Sequence, residues 1–107
     1  MRIFIFIFAF VSISCNAAVW KDSPYVYIET IYPHDGGLII YTSYSDDKVS
    51  SCDKGKRFGI EIDNPNYEVK SSILITAFTT NKKVKLRYDS SQNKKCTAII
   101  NRFLVEN

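Results

Sequence analysis

The sequence predicts a small, mainly β domain with one helix that closes into a barrel. Three runs rich in aromatic and β-branched residues, a composition typical of strands, precede a segment with helical features. Two further strand-like runs follow that segment, and a chain of 107 residues has room for one domain only. Closure into a barrel removes the exposed sheet edges that small β proteins must manage. An open α+β sheet remains the alternative arrangement.

The first residues have the features of an export signal. A basic residue at position 2 is followed by the apolar run IFIFIFAFVSI and then by small residues, a pattern typical of a secretory signal peptide. We therefore expect residues 1–17 to be a signal peptide and residues 18–107 to form the domain of a secreted or periplasmic bacterial protein. The apolar run is shorter than the roughly 20 residues of a membrane span, so we expect no span after cleavage. Cleavage after Ala18, an uncleaved anchor and lipidation at Cys15 are the alternatives.

The first two predicted strands form a hairpin after an irregular lead-in at Trp20–Pro24. The run Tyr25–Tyr32 is rich in strand-forming residues, and Leu38–Ser45 is its returning partner. Between them the sequence PHDGG is a strong turn signal, because its glycines can adopt a positive φ. The residues predicted to share one face of the first strand are Val26, Ile28 and Thr30.

The third predicted strand, Arg57–Ile62, leads into the helix. Its alternating apolar residues are Phe58, Ile60 and Ile62. We predict that the helix begins at Asn64, whose side chain can accept the unpaired amide hydrogens of the first turn. Pro65 then falls at the first helical position, where no amide hydrogen is needed. The apolar stripe at helical spacing consists of Tyr67, Ile73, Leu74, Ala77 and Phe78.

The helix is predicted to end at Asn81, which suits a left-handed cap and is followed by two lysines. The β-branched residues between positions 73 and 80 disfavour a helix, so a strand is the alternative there. The fourth strand is predicted at Val84–Tyr88 and the last at Cys96–Val105. The inward residues of the fourth strand are Val84, Leu86 and Tyr88.

The order of these elements indicates a particular barrel. Three strands, a helix and two strands, β-β-β-α-β-β, is the order of the OB-fold, a five-stranded Greek-key barrel. We therefore predict an OB-fold for residues 18–107.

The cysteine content fits an exported domain. Signal cleavage would remove Cys15 and leave Cys52 and Cys96, and an even count in a small exported protein suggests a disulfide. Such a bridge would close a loop of about 45 residues and stabilise the chain by on the order of 4 kcal/mol.

Charge and motif content argue against several classes of function. The net charge is only +3, which is too weak to predict a nucleic-acid partner. His34 is the single histidine, and a polar turn residue is its simplest interpretation. The cysteines lack zinc spacing, and neither a Ser-His-Asp pattern nor a glycine-rich phosphate loop is found in the sequence. We therefore expect no enzyme activity, no metal and no cofactor.

Tyrosine is the most unusual feature of the composition, because the chain has seven and five of them lie in the first hairpin. Aromatic rings can stack on the faces of sugars, with the hydroxyl as a hydrogen-bonding group. If the domain has a ligand-binding face, we predict that its residues are Tyr32, His34, Tyr41, Ser43 and Tyr44. The alternative is that these are ordinary strand residues at a barrel surface or a subunit contact.

Several features carry a resemblance to a known family. They are an early Trp20, the turn and strand HDGGLIIYT, Cys52 before a short strand, a helix running into NKKVKLRYD, and Cys96 with the terminal strand CTAIINRFLV. In this spacing the chain resembles the B subunits of bacterial AB-type toxins, close to the subtilase cytotoxin B subunit. The resemblance implies an OB-fold, a Cys52–Cys96 disulfide, a homo-pentamer and binding of host glycans. The alternative function is an exported protein-interaction or inhibitor protein without a glycan site.

Overall fold

The computed structural model describes residues 17–107, which form one curled sheet of seven strands and one α-helix. The strands before the helix are β1 (Trp20–Asp22), β2 (Val26–His34), β3 (Gly37–Thr42) and β4 (Arg57–Glu61). The helix α1 (Tyr67–Thr79) is followed by β5 (Lys83–Asp89), β6 (Ala98–Ile99) and β7 (Arg102–Val105). A short 3-10 turn, Asp53–Gly55, precedes β4. The predicted class, mainly β with one helix, is confirmed, and the curled sheet is barrel-like.

The sheet is built outward from β2. On one side β2 pairs with β3, β3 with β4, and β4 with β6. On the other side β5 pairs with β1 and with the first residues of β2, and β7 pairs with β5. All of these pairs are antiparallel except β4 with β6, which is parallel.

The predicted first strand begins earlier than expected and is interrupted. The prediction of an irregular lead-in is wrong for Trp20–Asp22, which pairs with Arg87–Asp89 of β5. Between β1 and β2, the buried Ser23 donates its amide to the carbonyl of Leu86 at 2.8 Å, and its Oγ accepts the Leu86 amide at 2.8 Å. The serine side chain thus takes the place of a backbone acceptor where the strand breaks.

The hairpin between β2 and β3 is tighter than predicted. His34 pairs with Gly37, so the turn itself is reduced to Asp35 and Gly36. Gly37 has φ +143°, and a Cβ at this position would lie 2.0 Å from the carbonyl oxygen of Ile60 on β4. Glycine is therefore required where the turn meets the neighbouring strand.

A register shift in β2 changes which residues face the core. The shift lies between Ile28 and Thr30. Ile28 is buried as predicted, but Thr30 is exposed and Ile31 packs against the core. The prediction for Thr30 is wrong because an extra residue in one strand reverses the alternation beyond it.

The core lies between the concave face of the sheet and α1. The inward residues predicted for the fourth strand are confirmed, since Val84, Leu86 and Tyr88 are fully buried. Phe58 and Ile60 of β4 are also buried, as predicted. Ile62 is 62% exposed, because β4 ends at Glu61 and the chain turns away there.

The helix is present, which excludes a strand at positions 73–80, but it begins later than predicted. Asn66 has a left-handed conformation, φ 61°, and immediately precedes the first helical residue, Tyr67. The predicted start at Asn64 and Pro65 is wrong because these residues form a turn. In that turn the Asn64 amide donates to the Glu61 carbonyl, and the Tyr67 amide donates to the Asn64 carbonyl.

The helix C-terminus agrees with the prediction. Asn81 is left-handed with φ 56°, and its amide donates to the carbonyl of Phe78. The amide of Lys82 donates to the carbonyl of Ala77 at 2.9 Å, so the two bonds together form a Schellman cap. Thr76 and Thr80 each donate a hydroxyl to a carbonyl one turn earlier, which satisfies β-branched residues within a helix.

The apolar stripe of the helix is only partly buried. Leu74 and Ala77 are buried in the core and Tyr67 packs against it. Ile73 and Phe78 are exposed, so the prediction that they share the inward stripe is wrong. The helix rests mainly on β2 and β4. This contact is too narrow to bury Ile73 and Phe78 as well.

Cys52 and Cys96 form the predicted disulfide, which joins two positions 44 residues apart. It links the loop before β4 to the loop before β6. The predicted signal peptide at residues 1–17 lies, but for its last residue, outside the described residues. Among residues 17–107, no helix has the length and apolar character needed to cross a membrane.

Candidate functional site

The outward face of β2, β3 and β4 carries the polar and aromatic residues of the candidate site. The register aligns Thr30, Tyr41 and Arg57 in one row across the three strands. The next row contains Tyr32, which lies opposite Ile39. Because residues opposite one another share a face of the sheet, Tyr32, Tyr41 and Arg57 are brought together. They come from positions as much as 25 residues apart in the sequence.

Tyr41, Asp53 and Arg57 form a hydrogen-bonded group, here called the surface triad. The Tyr41 hydroxyl donates to Asp53 Oδ2 at 2.7 Å, and Arg57 Nε donates to the Tyr41 hydroxyl oxygen at 2.8 Å. Arg57 Nε also lies 3.1 Å from the same Asp53 oxygen. The guanidinium carbon stands 5.8 Å from the centre of the Tyr41 ring. The three side chains therefore fix one another's orientation on an accessible surface.

The loop that supplies Asp53 is held by two constraints. The disulfide at Cys52 fixes one end, and Arg57 Nη1 donates to Cys96 Sγ at 3.3 Å. At the other end Gly55 has φ +81°, and a Cβ there would lie 2.7 Å from the amide nitrogen of Asp47. Asp53 itself has φ 54°, a conformation that non-glycine residues seldom adopt. The loop thus presents the carboxylate to Tyr41 in a defined position.

The environment of the triad raises the pKa values of Tyr41 and Arg57. Burial raises the pKa of Tyr41, and its hydrogen bond to Asp53 raises it further. The hydrogen bond to Tyr41 raises the pKa of Arg57. At neutral pH the Tyr41 phenol is therefore neutral and the Arg57 guanidinium carries its positive charge.

An open cleft of about 380 Å³ lies at the hairpin end of the same strands. His34 and Gly36 of the hairpin, Glu61 at the end of β4, and Thr97 and Ile99 are among its lining residues. The ring centres of Tyr32 and His34 are 6.0 Å apart. The Gly36 amide donates to His34 Nδ1 at 3.2 Å, which leaves Nε2 available to a ligand. The cleft therefore combines an imidazole with the carboxylates of Glu61 and Asp63, and the Tyr32 ring stands beside the imidazole.

Gly59 of β4 lines this cleft and allows Leu38 and Thr97 to lie close to its backbone. A Cβ at Gly59 would lie 2.8 Å from the Leu38 carbonyl oxygen and 3.0 Å from the Thr97 methyl carbon. A larger residue at this position would therefore collide with two other residues that line the cleft, Leu38 and Thr97.

The structure divides the five residues predicted for a binding face. Tyr32 and His34 lie together at the hairpin, and Tyr41 belongs to the surface triad. Ser43 is exposed just beyond β3. Tyr44 turns towards the interior, where its ring packs 5.9 Å from that of Phe58.

Sequence reasoning missed Asp53 and Arg57. Arg57 was available from the alternation of β4, because it precedes the inward Phe58 and must face outward. Asp53 gave a weaker signal, namely its position directly after a cysteine predicted to be in a disulfide. Its contact with Tyr41 depends on a loop whose path the sequence does not specify.

A second tyrosine group, here called the buried tyrosine network, explains the position of Tyr44. The hydroxyls of Tyr44 and Tyr88 form a short hydrogen bond. Tyr88 donates to Asp46 Oδ2 at 2.6 Å, and Lys21 Nζ donates to the same oxygen at 3.2 Å. The amide of Lys48 donates to Asp46 Oδ1 at 3.1 Å.

The titration of this network indicates a structural role. Burial raises the pKa of Tyr88 far above its usual range, with a further contribution from the hydrogen bond to Asp46. Burial also opposes ionisation of Asp46, but the hydrogen bonds from Tyr88, Lys48 and Lys21 outweigh it, so the pKa of Asp46 is lowered. The network is therefore a charged acceptor held by neutral and cationic donors.

Among residues 17–107, the structure places no group of three or more His, Cys, Asp or Glu side chains where they could hold a metal ion. Comparison of the chain with family models, with curated proteins and with solved structures finds no match.

Proposed function

We propose that this protein is an exported binding module that recognises a saccharide through the outward face of β2, β3 and β4. The observation that carries the proposal is the surface triad, set beside Tyr32 and the cleft at His34. Tyrosine rings stack on sugar faces, while guanidinium and carboxylate groups form strong, directional hydrogen bonds with hydroxyls. A binding role also fits the sequence-based expectation that the chain is not an enzyme.

The barrel that we propose for this module is an OB-fold. The proposal treats β1 and β2 as one interrupted first strand, and β6 and β7 as one interrupted last strand. The two residues that connect β6 to β7 support a single last strand. The Ile100 amide donates a hydrogen bond to the carbonyl of Gly59 on β4, and the Asn101 amide donates one to the carbonyl of Arg87 on β5. The last strand then bridges β4 and β5, with the parallel pairing that closure of the Greek key requires.

The class that this proposal implies is the toxin B-subunit type suggested by the resemblance. The supporting observations are the Cys52–Cys96 disulfide, the pairing order of the strands and a helix between the third and fourth strands of the barrel. Export follows from the predicted signal at residues 1–17. A gene for a catalytic toxin chain next to the gene for this protein would support this class directly.

A glycan array screened with the purified chain tests the saccharide site. We expect binding to a restricted set of glycans, and we expect Arg57→Gln to weaken it about tenfold, since a hydrogen bond to a charged group contributes on the order of 1.5–3 kcal/mol. Lys94→Gln is the matched control, because it removes one positive charge from an exposed side chain outside the triad and the cleft. A folded protein that leaves the array blank contradicts the proposal.

The second candidate function is protein interaction, favoured by apolar side chains exposed on α1 and β7. These side chains are Val69, Ile73, Ile75, Phe78, Leu104 and Val105. An open groove of about 440 Å³ runs between α1 and the C-terminal residues, lined by Ile73 and Val105. Ile73 and Val105 share this groove, and exposed apolar surface of this kind marks contact sites in soluble proteins. We assign it to contact with further copies of this chain, as a homo-pentamer would require.

Light scattering tests this contact, and the glycan array tests the saccharide site. If copies of the chain associate through the groove, the chain has the mass of an oligomer at micromolar concentration, and Ile73→Glu reduces it to a monomer. The same substitution leaves glycan binding by a monomeric site unchanged. A wild-type chain that is monomeric at this concentration rules out self-association, whereas a blank array rules out the saccharide site.

A further inference from the structure

A second surface of aromatic and cationic side chains lies on the outward side of β1, β2, β5 and β7. Three exposed aromatic rings there each carry a cation over the ring. The pairs are Lys83 Nζ with Tyr27 at 5.3 Å, Lys85 Nζ with Tyr25 at 4.7 Å, and Arg102 Cζ with Trp20 at 5.7 Å from the ring centre. We call these six residues the aromatic–cation face.

The alternation of β5 produces this face. Val84, Leu86 and Tyr88 point into the core, so Lys83, Lys85 and Arg87 must point outward. The cross-strand register then sets Lys83 beside Tyr27 of β2, and Arg87 beside both Asp22 of β1 and Arg102 of β7. Four cations from two neighbouring strands thus share one side of the sheet.

Only one of these four cations is neutralised by an ion pair. Arg87 makes a two-pronged contact with Asp22, at 2.7 and 3.1 Å. For Lys83, Lys85 and Arg102, no carboxylate lies within 4.0 Å among residues 17–107. Residues 1–16 contain no acidic side chain. In the described part of the chain Lys83, Lys85 and Arg102 therefore have no salt-bridge partner, and Asp22 acts on Lys85 only at longer range.

Besides Asp22, the acidic groups near the face are Asp89 and Glu106 at its two ends. Asp89, opposite Trp20 in the register, accepts hydrogen bonds from the Val19 and Ser91 amides. The exposed Glu106 follows β7, and its amide donates to the carbonyl of Lys83. Between these ends the cations are spaced by about 7 Å along β5, since alternate strand residues are two rises apart.

We propose that the aromatic–cation face binds an acidic polysaccharide, one that carries carboxylate or sulfate groups along its chain. The row of cations matches a row of anionic groups, and the sugar rings contact exposed aromatic surface between them. Trp20, Tyr27 and Tyr25 are 50%, 47% and 36% exposed, so their surface is accessible to such a ligand.

Single-stranded nucleic acid fits the same observations less well. Bases bind such surfaces by stacking on free ring faces, and in all three pairs a cation already stands over the ring. The net charge of the chain is also only +3. The proposal does not depend on the saccharide site of β2, β3 and β4, because the two surfaces share no residue.

The test measures retention of the purified chain on immobilised dextran sulfate, with uncharged dextran as the blank and polygalacturonate as a carboxylated competitor. We expect retention that weakens with salt, and we expect the double variant Lys83→Gln/Lys85→Gln to bind about thirtyfold more weakly, since each of the two surface cations contributes roughly 1 kcal/mol. The control double variant Lys54→Gln/Lys94→Gln removes the same charge from exposed lysines elsewhere.

The remaining outcomes each decide the proposal. Equal losses in the two double variants, or no retention by a chain with a native circular dichroism spectrum, overturn it. Tighter binding of a twelve-nucleotide oligothymidine than of either acidic polysaccharide also overturns it in favour of nucleic acid. Trp20→Leu should weaken binding without changing its salt dependence, because it removes a ring rather than a charge. The glycan array tests the triad with its own ligands, so failure at this face and failure at the triad are distinguishable.

Discussion

The surface triad and the buried tyrosine network share three kinds of group, namely a tyrosine hydroxyl, an aspartate carboxylate and a cationic side chain. In each, a tyrosine hydroxyl donates to an aspartate oxygen, at 2.7 Å for Tyr41 with Asp53 and 2.6 Å for Tyr88 with Asp46. In each, a cation lies close to that same oxygen, at 3.1 Å for Arg57 and 3.2 Å for Lys21. The side chain of Asp53 is 48% exposed, whereas that of Asp46 is 5% exposed.

This difference in burial gives the same groups different roles. Water screens the exposed pair, so it contributes little to stability and its hydrogen bonds can be exchanged for those of a ligand. In the buried network a group that lost its partner could not form a hydrogen bond with water instead. The loss of one partner should therefore lower the free energy of unfolding substantially. The comparison predicts that stability depends on Asp46 and Tyr88, and ligand binding on Tyr41 and Arg57.

The largest effect is expected from removal of the disulfide, which anchors the loop of the surface triad. Cys52→Ala/Cys96→Ala should lower the free energy of unfolding by on the order of 4 kcal/mol, because the bridge closes a loop of 44 residues. It should also weaken saccharide binding, since Asp53 directly follows Cys52. Urea denaturation measures the first effect. If saccharide affinity is unchanged in the folded variant, the disulfide does not position the triad.

The next effect is expected from Asp46→Ala, which leaves the Tyr88 hydroxyl without its acceptor. The free energy of unfolding should fall by on the order of 3 kcal/mol, because a buried polar network loses its central charge. Thermal denaturation measures it. The matched substitution Asp53→Ala in the triad should cost far less, and equal losses would remove the distinction between the two groups.

Acid should reveal the same asymmetry. The pKa of Asp46 is lowered in the folded chain from 3.8, so its contribution to stability is present above that value and is lost as the pH falls through the folded pKa. We expect the free energy of unfolding to decrease below about pH 4, with a shallower decrease in Asp46→Asn. Asp22 and Asp89 also have lowered pKa values, so some pH dependence should persist in the variant. Identical profiles for the two proteins would contradict the role of Asp46.

The smallest effect on stability is expected from Asp53→Asn in the surface triad. It should change the free energy of unfolding by less than about 1 kcal/mol, since exposed ion pairs contribute little. Saccharide binding should nevertheless weaken, because the asparagine holds Tyr41 and Arg57 less firmly. Calorimetric titration with a glycan selected on the array measures this, and unchanged affinity would show that Asp53 is not part of the site.

Local patterns predicted the parts of the fold that depend on neighbours in the sequence. The alternation of Val84, Leu86 and Tyr88 gave the inward face of β5, and Asn81 gave the helix cap, because both depend on backbone sterics within a few residues. The start of the helix was misplaced, since Asn64 and Pro65 are as well suited to a turn as to a helix start. The inward positions of β2 were wrong beyond Ile28 because of a register shift.

The sequence by itself determined a mainly β chain with one helix, the turn at Gly37 and the inward residues of β4 and β5. These features follow from side-chain periodicity and from the conformations that individual residues allow. Only the tertiary structure decided that Tyr41 meets Asp53 and Arg57 while Tyr44 turns inward to Tyr88. The reason is that such contacts depend on strand register and loop path, which are set by packing between residues distant in the sequence.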